Sequence, residues 1–135
     1  MNREKIVIDA TGSILGRIAS YAAKQSLLGK EVVIVNCEQA LLTGRKKNVI
    51  GEYQLARKRG GASLKGPFFP KSPERVMKRT VRGMLSYTQQ RGLDAFKRVM
   101  CYNNVPKEYE NANKITLVRE IKTRTMTLAE LEKVI

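Results

Sequence analysis

The chain of 135 residues has no histidine, no tryptophan and only two cysteines. Without imidazole it cannot assemble a Ser-His-Asp or Cys-His catalytic set, a His-ligated zinc or a histidine general base. Cys37 and Cys101 stand 64 positions apart, which excludes a Cys-x-x-Cys redox or zinc signature. Two isolated thiols suit a reducing cytosol, as small buried hydrophobes. Acids are scarce as well: 12 Asp and Glu face 26 Lys and Arg, a net charge of +14. No run approaches the ~20 apolar residues of a membrane span. Ile6-Val7-Ile8, behind a charged start, is too short for a signal-peptide core. The expectation is a soluble cytoplasmic protein with one domain over residues 1–135, and its 42% hydrophobic content is enough for a core.

The positive charge is concentrated. Residues 1–40 carry a net of +1 and residues 83–135 a net of +3, whereas residues 41–82 hold twelve bases and two acids, a net of +10. Solubility does not require such clustering. A patch of this kind attracts a polyanion, because every neutralised phosphate releases condensed counterions.

Hydrophobic spacing predicts a parallel α/β arrangement. Lys5–Asp9 and Glu31–Val35 read as short buried strands. Between them Ile14, Leu15, Ile18, Ala19 and Ala22 follow helical spacing, with Ser13 as the expected N-cap and Gly29 as the stop. Strand, helix and strand with short connections imply a βαβ unit. Ala40–Thr43 reads as a further extended piece. A helix from Arg45 to about Arg59 has Val49, Ile50, Tyr53 and Ala56 inward and Lys47, Gln54 and Lys58 in one outward arc. Gly60-Gly61 ends it, and Gly66-Pro67 and Phe69-Pro70 mark a loop of about a dozen residues.

Ser72-Pro73 opens the next helix by the N-cap and first-turn proline rule. There Arg75, Lys78, Arg79 and Arg82 share an arc of about 100°, while Val76, Met77, Thr80, Val81 and Met84 take the other side. Gly83 leaves the helix end open. Downstream, Gln89–Gly92 reads as a connection, Leu93–Phe96 as a helical turn and Arg98–Tyr102 as a strand. Ile115–Ile121 alternates as if extended, and Thr127–Glu130 is a capping box opening a last helix.

Three chemistries compete for these features. Gly12-Ser13-Ile14-Leu15-Gly16-Arg17 follows a strand as a phosphate-binding turn does, but its glycines are too close for a Walker loop and Arg17-Ile18 replaces Lys-Ser/Thr. It lacks the Gly-x-Gly-x-x-Gly of a dinucleotide site. A tight strand-to-helix turn is the plainer reading. Asp9 ends a strand but has no partner carboxylate, so bonding to the following turn explains it. No nucleophile–base pair emerges, and no enzyme activity or cofactor is expected. The basic helix reads as a solvated face, a membrane-surface helix or a phosphate-tracking face. A solvated face would mix in more Glu than Glu74, and a membrane helix would carry Trp, Phe or Leu. The phosphate reading also accommodates Arg57-Lys58-Arg59 and the loop lysines Lys65 and Lys71, since arginine offers phosphate a bidentate fork. No helix-turn-helix, zinc finger, RNP strand or KH loop is present, which leaves a shape-reading nucleic-acid binder, RNA rather than DNA.

The segment Ile8–Ser20, with its Asp9-Ala10-Thr11-Gly12-Ser13-Ile14-Leu15-Gly16-Arg17 centre, resembles the opening of the universal L-thirteen family of large-subunit ribosomal proteins. The resemblance continues in order through Gly29-Lys30, Val33–Glu38, Leu42-Thr43-Gly44, Arg79–Leu85, Arg98–Tyr102 and Val105-Pro106. The Gly66–Pro70 loop and compact length are similar to the archaeal branch. The resemblance implies a three-layer α/β/α fold on a small, mostly parallel sheet of about four strands. It also implies a non-catalytic structural role in the large ribosomal subunit in the cytoplasm. The partners it implies are large-subunit ribosomal RNA and neighbouring ribosomal proteins, with no membrane and no small-molecule substrate. It supports Arg79 and Arg82 as RNA-facing. Charge adds Arg45, Lys46, Lys47, Arg57, Lys58, Arg59, Lys65, Lys71, Arg75 and Lys78, so the expected RNA-facing segment runs over about 45–82. Ser86 departs from the proline common there in the family, and the last twenty residues match weakly.

Overall fold

The structure, a computed structural model, describes residues 4–58 and 70–134, the side chains of Arg57 and Lys58 excepted. Arg59, Lys65 and the predicted glycine- and proline-marked loop with Phe68 and Phe69 lie outside the described residues. The protein is α/β, with a four-stranded sheet flanked by helices.

Strands β1 (Lys5–Asp9), β2 (Glu31–Val35), β4 (Val99–Cys101) and β5 (Lys114–Thr116) form this sheet in the order β4-β2-β1-β5. Every pairing within it is parallel, with Ile6 opposite Val32, Ile8 opposite Ile34 and Val32 opposite Val99. Helix α1 (Leu15–Leu27) makes the crossover between β1 and β2, as the short strand–helix–strand spacing predicts.

Alternation along the strands divides the core between two faces. Ile6, Ile8, Val32, Ile34 and Val99 join the large cluster with Leu15, Ile18, Ala19 and Ala22 of α1 and with Val76, Met77 and Val81. Val7, Val33 and Val35 point the other way, under Tyr102, Val105, Tyr109 and Ala112. The covering layer on that face is thin. It consists of the segment after β4, including a 3₁₀ turn at Lys107–Tyr109. With both faces covered, the central strands tolerate no polar alternation, so they read as continuous apolar runs.

Helix ends follow partly different chemistry from that expected. At the end of α1 the Gly29 N–H donates to the Ser26 carbonyl and the Lys30 N–H to the Gln25 carbonyl, with Gly29 at φ 94°. This is a Schellman closure, and it requires the left-handed backbone that glycine adopts without penalty. At the start of α1 the cap position belongs to Ile14, not Ser13. The Ser13 hydroxyl is buried without a hydrogen-bond partner, and its carbonyl accepts instead from the Leu41 N–H at 2.8 Å. That bond docks β3 (Leu41–Thr43) against the turn and pulls Ser13 away from a capping geometry.

Elements at the chain's second half also depart from expectation. Helix α4 (Gln90–Lys97) begins inside the predicted connection, because Gly92 is buried against the Ser86 backbone. Of the alternating Ile115–Ile121 stretch only Ile115 and Thr116 are strand, within β5, to which the β1 edge offers three register positions. β3 lies within the predicted extended piece Ala40–Thr43, whereas its antiparallel partner β6 (Thr125–Thr127) is not anticipated by any local pattern in the sequence. The final helix α5 (Leu128–Val134) starts as expected, with the Glu130 N–H donating to Thr127 Oγ1 at 3.2 Å.

Candidate nucleic-acid interface

Helix α3 (Pro73–Gly83) is positioned by its apolar side. Val76, Met77 and Val81 are buried in the large cluster, and Leu85 just beyond the helix adds to them. Pro73 occupies the first turn after Ser72, whose side chain makes no cap hydrogen bond. Thr80 satisfies its own hydroxyl on the Val76 carbonyl at 2.9 Å. Met84, expected inward, is exposed, because the helix ends at Gly83 and the chain turns there. Anchoring the apolar side against the sheet turns the basic side outward.

That basic side forms one wall of a groove of about 350 Å³. Arg75, Lys78, Arg79 and Arg82 line it together with Pro70, and Phe96, Met100 and Cys101 form the opposite wall from α4 and β4. Lys71 is exposed just ahead of the helix. Aromatic rings brace Arg82 and Lys78. The Arg82 guanidinium sits 4.8 Å from the centroid of the Tyr87 ring, and the Lys78 ammonium sits 4.9 Å from that of Phe96. Lys78 also donates to the Val99 carbonyl at 2.9 Å, so part of its charge serves the fold. Glu74 is the acid on the groove wall, and its Oε2 is buried with no hydrogen-bond partner.

The remaining predicted cations that are described gather elsewhere. Helix α2 (Lys46–Lys58) runs with Val49 buried and Ile50, Tyr53 and Ala56 half-buried, as its periodicity predicts. Arg45, Lys46 and Lys47 at its start line a second cavity of about 460 Å³ with Arg124 and Thr125 of the β6 region. Lys46 is 3.6 Å from the Glu130 carboxylate, and Gln54 donates to the Val134 carbonyl at 3.1 Å, which lays α2 along α5. A further cleft of about 350 Å³ lies where Arg79, Thr80 and Gly83 of α3 face Glu52, Tyr53 and Ala56 of α2. Burial pushes the Tyr53 hydroxyl above its usual range, with the nearby Glu52 charge acting in the same sense, so this tyrosine stays neutral.

A surface of this kind offers arginine forks and lysine point charges on two elements. It matches a chain of phosphates better than a single small anion. The sequence profile of the family described as Ribosomal protein L13 matches residues 3–108. The chain belongs to that family. It is 48% identical over 112 residues to the large ribosomal subunit protein uL13 of Methanosarcina barkeri, covering 82% of this chain and 79% of the relative. It is 44% identical over 133 residues to that of Archaeoglobus fulgidus, covering 94% and 85%, and 44% identical over 130 residues to that of Methanocaldococcus jannaschii, covering 94% of each. The family is a ribosomal and non-enzymatic one, and the chain is accordingly not an enzyme.

The Gly12–Arg17 turn is built for the fold. The Thr11 N–H donates to Asp9 Oδ1 at 3.0 Å, the Ser13 N–H to the Ala10 carbonyl and the Arg17 N–H to the Ile14 carbonyl. Those amides are engaged within the turn. A Cβ on Gly12, at φ 72°, would lie 3.7 Å from the Val118 side chain, an ordinary packing distance. Among the described residues no group of three acids or cysteines is placed to hold a metal ion, and no helix is long and apolar enough to cross a membrane.

Sequence reasoning missed Arg124. It belongs to the stretch whose strand, β6, is only three residues long and forms by pairing with β3 from more than 80 positions away. A local pattern carries little of that pairing. The groove's far wall, Phe96 and Met100, is equally invisible as a wall, although both residues read as parts of α4 and β4.

Proposed function

We propose that the protein is a structural component of the large ribosomal subunit that binds large-subunit ribosomal RNA through the α3 face, with neighbouring ribosomal proteins as its other partners. The observation that carries this is the groove beside α3, where four cations from one helix line a single channel against one acid. In this reading Arg75, Arg79 and Arg82 take phosphates directly. Lys71 extends the track at the helix entrance. Lys78 contributes charge while held to strand β4. Arg45 and Lys47, with Arg124, form a second phosphate contact on the flank of α2. Arg57, Lys58, Arg59 and Lys65 belong to the same basic stretch of sequence and complete the set. The names of the archaeal relatives support the assignment to the large subunit.

Filter binding of the full chain to a large-subunit RNA fragment, across a series of salt concentrations, tests this. Affinity should fall steeply with salt, and Arg75→Gln, Arg79→Gln and Arg82→Gln together should reduce the slope of log K against log salt by about 2–3, following roughly 0.7–0.9 per phosphate. An unchanged slope excludes α3 as the contact. Equal affinity for duplex DNA of the same length would mean that charge alone, without RNA shape, drives the binding.

A further inference from the structure

Cys37 and Cys101 have no role in the cationic surface, yet the fold brings them together from 64 positions apart. Cys101 stands opposite Ile34 in the β2–β4 register. The Tyr102 N–H donates to the Ile34 carbonyl at 2.8 Å, and the Cys37 N–H donates to the Tyr102 carbonyl at 3.1 Å. These bonds clamp the end of β4 between Ile34 and Cys37. The chain reverses at Asn36, at φ 57°, and folds the Cys37 thiol back to 3.6 Å from the Ile34 carbonyl. Both side chains belong to the large cluster on one face of the sheet. The neighbouring Cys101 thiol, and then burial, push the Cys37 thiol above its usual range. Both cysteines are free; Cys37 is fully buried, whereas Cys101 is half-buried and lines the α3 groove.

We propose that Cys37 and Cys101 constitute an intramolecular disulfide-forming site that takes a two-electron oxidant of the peroxide class. The oxidant reaches Cys101 through the groove, because that sulfur is the accessible one of the pair. The Cys101 sulfur attacks one peroxide oxygen, the O–O bond breaks, and a sulfenic acid forms with release of one water. The Cys37 sulfur then displaces the sulfenic hydroxyl. An S–S bond forms, and the Cys37 proton leaves with the hydroxyl as a second water. Two thiols and one peroxide thus become one disulfide and two waters. Cys37 takes the resolving role because it is shielded from the oxidant, and its raised thiol makes this displacement the slow step. The bond staples the edge strand β4 to the end of β2 and closes a long loop of chain, which restricts the unfolded state. The site rests on the two thiols and not on the proposed RNA contact, and it is open to the oxidant while the groove is free.

The test treats the reduced full-length protein with increasing hydrogen peroxide, blocks free thiols with iodoacetamide under denaturing conditions, and measures intact mass. The expected product is a monomer lighter by about 2 Da that takes up no alkyl group and is restored by dithiothreitol, as two lost hydrogens require. Tryptic digestion should join peptide 31–45 to peptide 99–107. The oxidised form should also unfold at a higher urea concentration than the reduced one. Cys37→Ser should accumulate sulfenic and sulfinic acid on Cys101 in place of the link. The proposal is overturned if the wild-type protein keeps two alkylatable thiols at a dose that fully oxidises glutathione. It is equally overturned if Cys101 becomes sulfinic while Cys37 stays free, or if the only disulfide joins two chains.

Discussion

Asp9 closes the turn after β1 with two hydrogen bonds, from the Thr11 N–H at 3.0 Å and the Asn36 side-chain amide at 3.2 Å. Burial works to raise its carboxyl, but these bonds and the Lys114 charge outweigh burial and lower it below the usual 3.8. A carboxyl lowered on folding adds stability above its unfolded value and loses it as pH falls through the folded one. The protein should therefore lose this contribution below about pH 4, where the group's unfolded form begins to protonate. Asp9→Asn should cost about 1 kcal/mol at neutral pH and flatten the acid limb of a urea-midpoint-against-pH curve. Gly92 offers a second residue-level check. A Cβ there would collide with the Ser86 carbonyl, whereas a Cβ on the exposed helical Gly51 meets nothing within 4 Å. Gly92→Ala should destabilise by about 2–3 kcal/mol through overpacking, and Gly51→Ala should stabilise by about 0.5–1 kcal/mol through helix propensity. Equal effects in urea denaturation would contradict the packing at the α4 entrance. Local sequence pattern places Gly51 in a helix and Gly92 in a connection, and only the approach of Ser86 shows that Gly92 is packed tight.

Helix α3 combines two jobs along its length. Its periodicity makes both sides legible in the sequence: Val76, Met77 and Val81 are buried, and the four cations share one groove. By spacing alone the four cations are equivalent, and the fold is expected to survive their loss. The Lys78 hydrogen bond to the Val99 carbonyl and its position over Phe96 make it different. Lys78→Gln should cost about 1–2 kcal/mol of stability as well as affinity, because a buried carbonyl on the β4 edge loses a charged donor. Arg75→Gln, on the exposed part of the helix, should leave stability within about ±0.5 kcal/mol and change only RNA affinity. Paired urea and RNA-binding measurements on the two variants distinguish these outcomes. Helix α2 shows the opposite case. Its predicted outward arc includes Gln54, which the structure sets against α5, since periodicity gives a face but not the neighbour that face meets.

At the scale of the whole molecule, a net charge of +14 repels itself in the folded state. The ion pairs Lys5–Glu31, Lys30–Glu4 and Lys46–Glu130 lie at the surface at 3.6–3.8 Å, with Lys30 and Glu31 half-buried, and offset little of that repulsion. Screening should therefore help the free protein and harm its complex. Raising salt from about 50 to about 500 mM, where the Debye length shrinks several-fold, should raise the melting temperature of the free chain by a few degrees. The same change should lower RNA affinity. Opposite signs in differential scanning fluorimetry and filter binding would place the surplus charge on the binding surface; a fall in both would place it in internal pairs.

The amino-acid order by itself determined the parallel core strands, α1 and its glycine stop, the division of α3 into apolar and cationic sides, and the absence of imidazole and Cys-x-x-Cys chemistry. These are local properties, set by side-chain period, backbone freedom at Gly29 and residue type. Tertiary structure alone decided that Arg124 joins Arg45 and Lys47, that Lys78 is bound to β4, and that two distant cysteines enter one cluster. Each of those depends on strands paired across long stretches of chain, where the partner is selected by burial of the whole sheet and leaves no periodic mark in its own short segment.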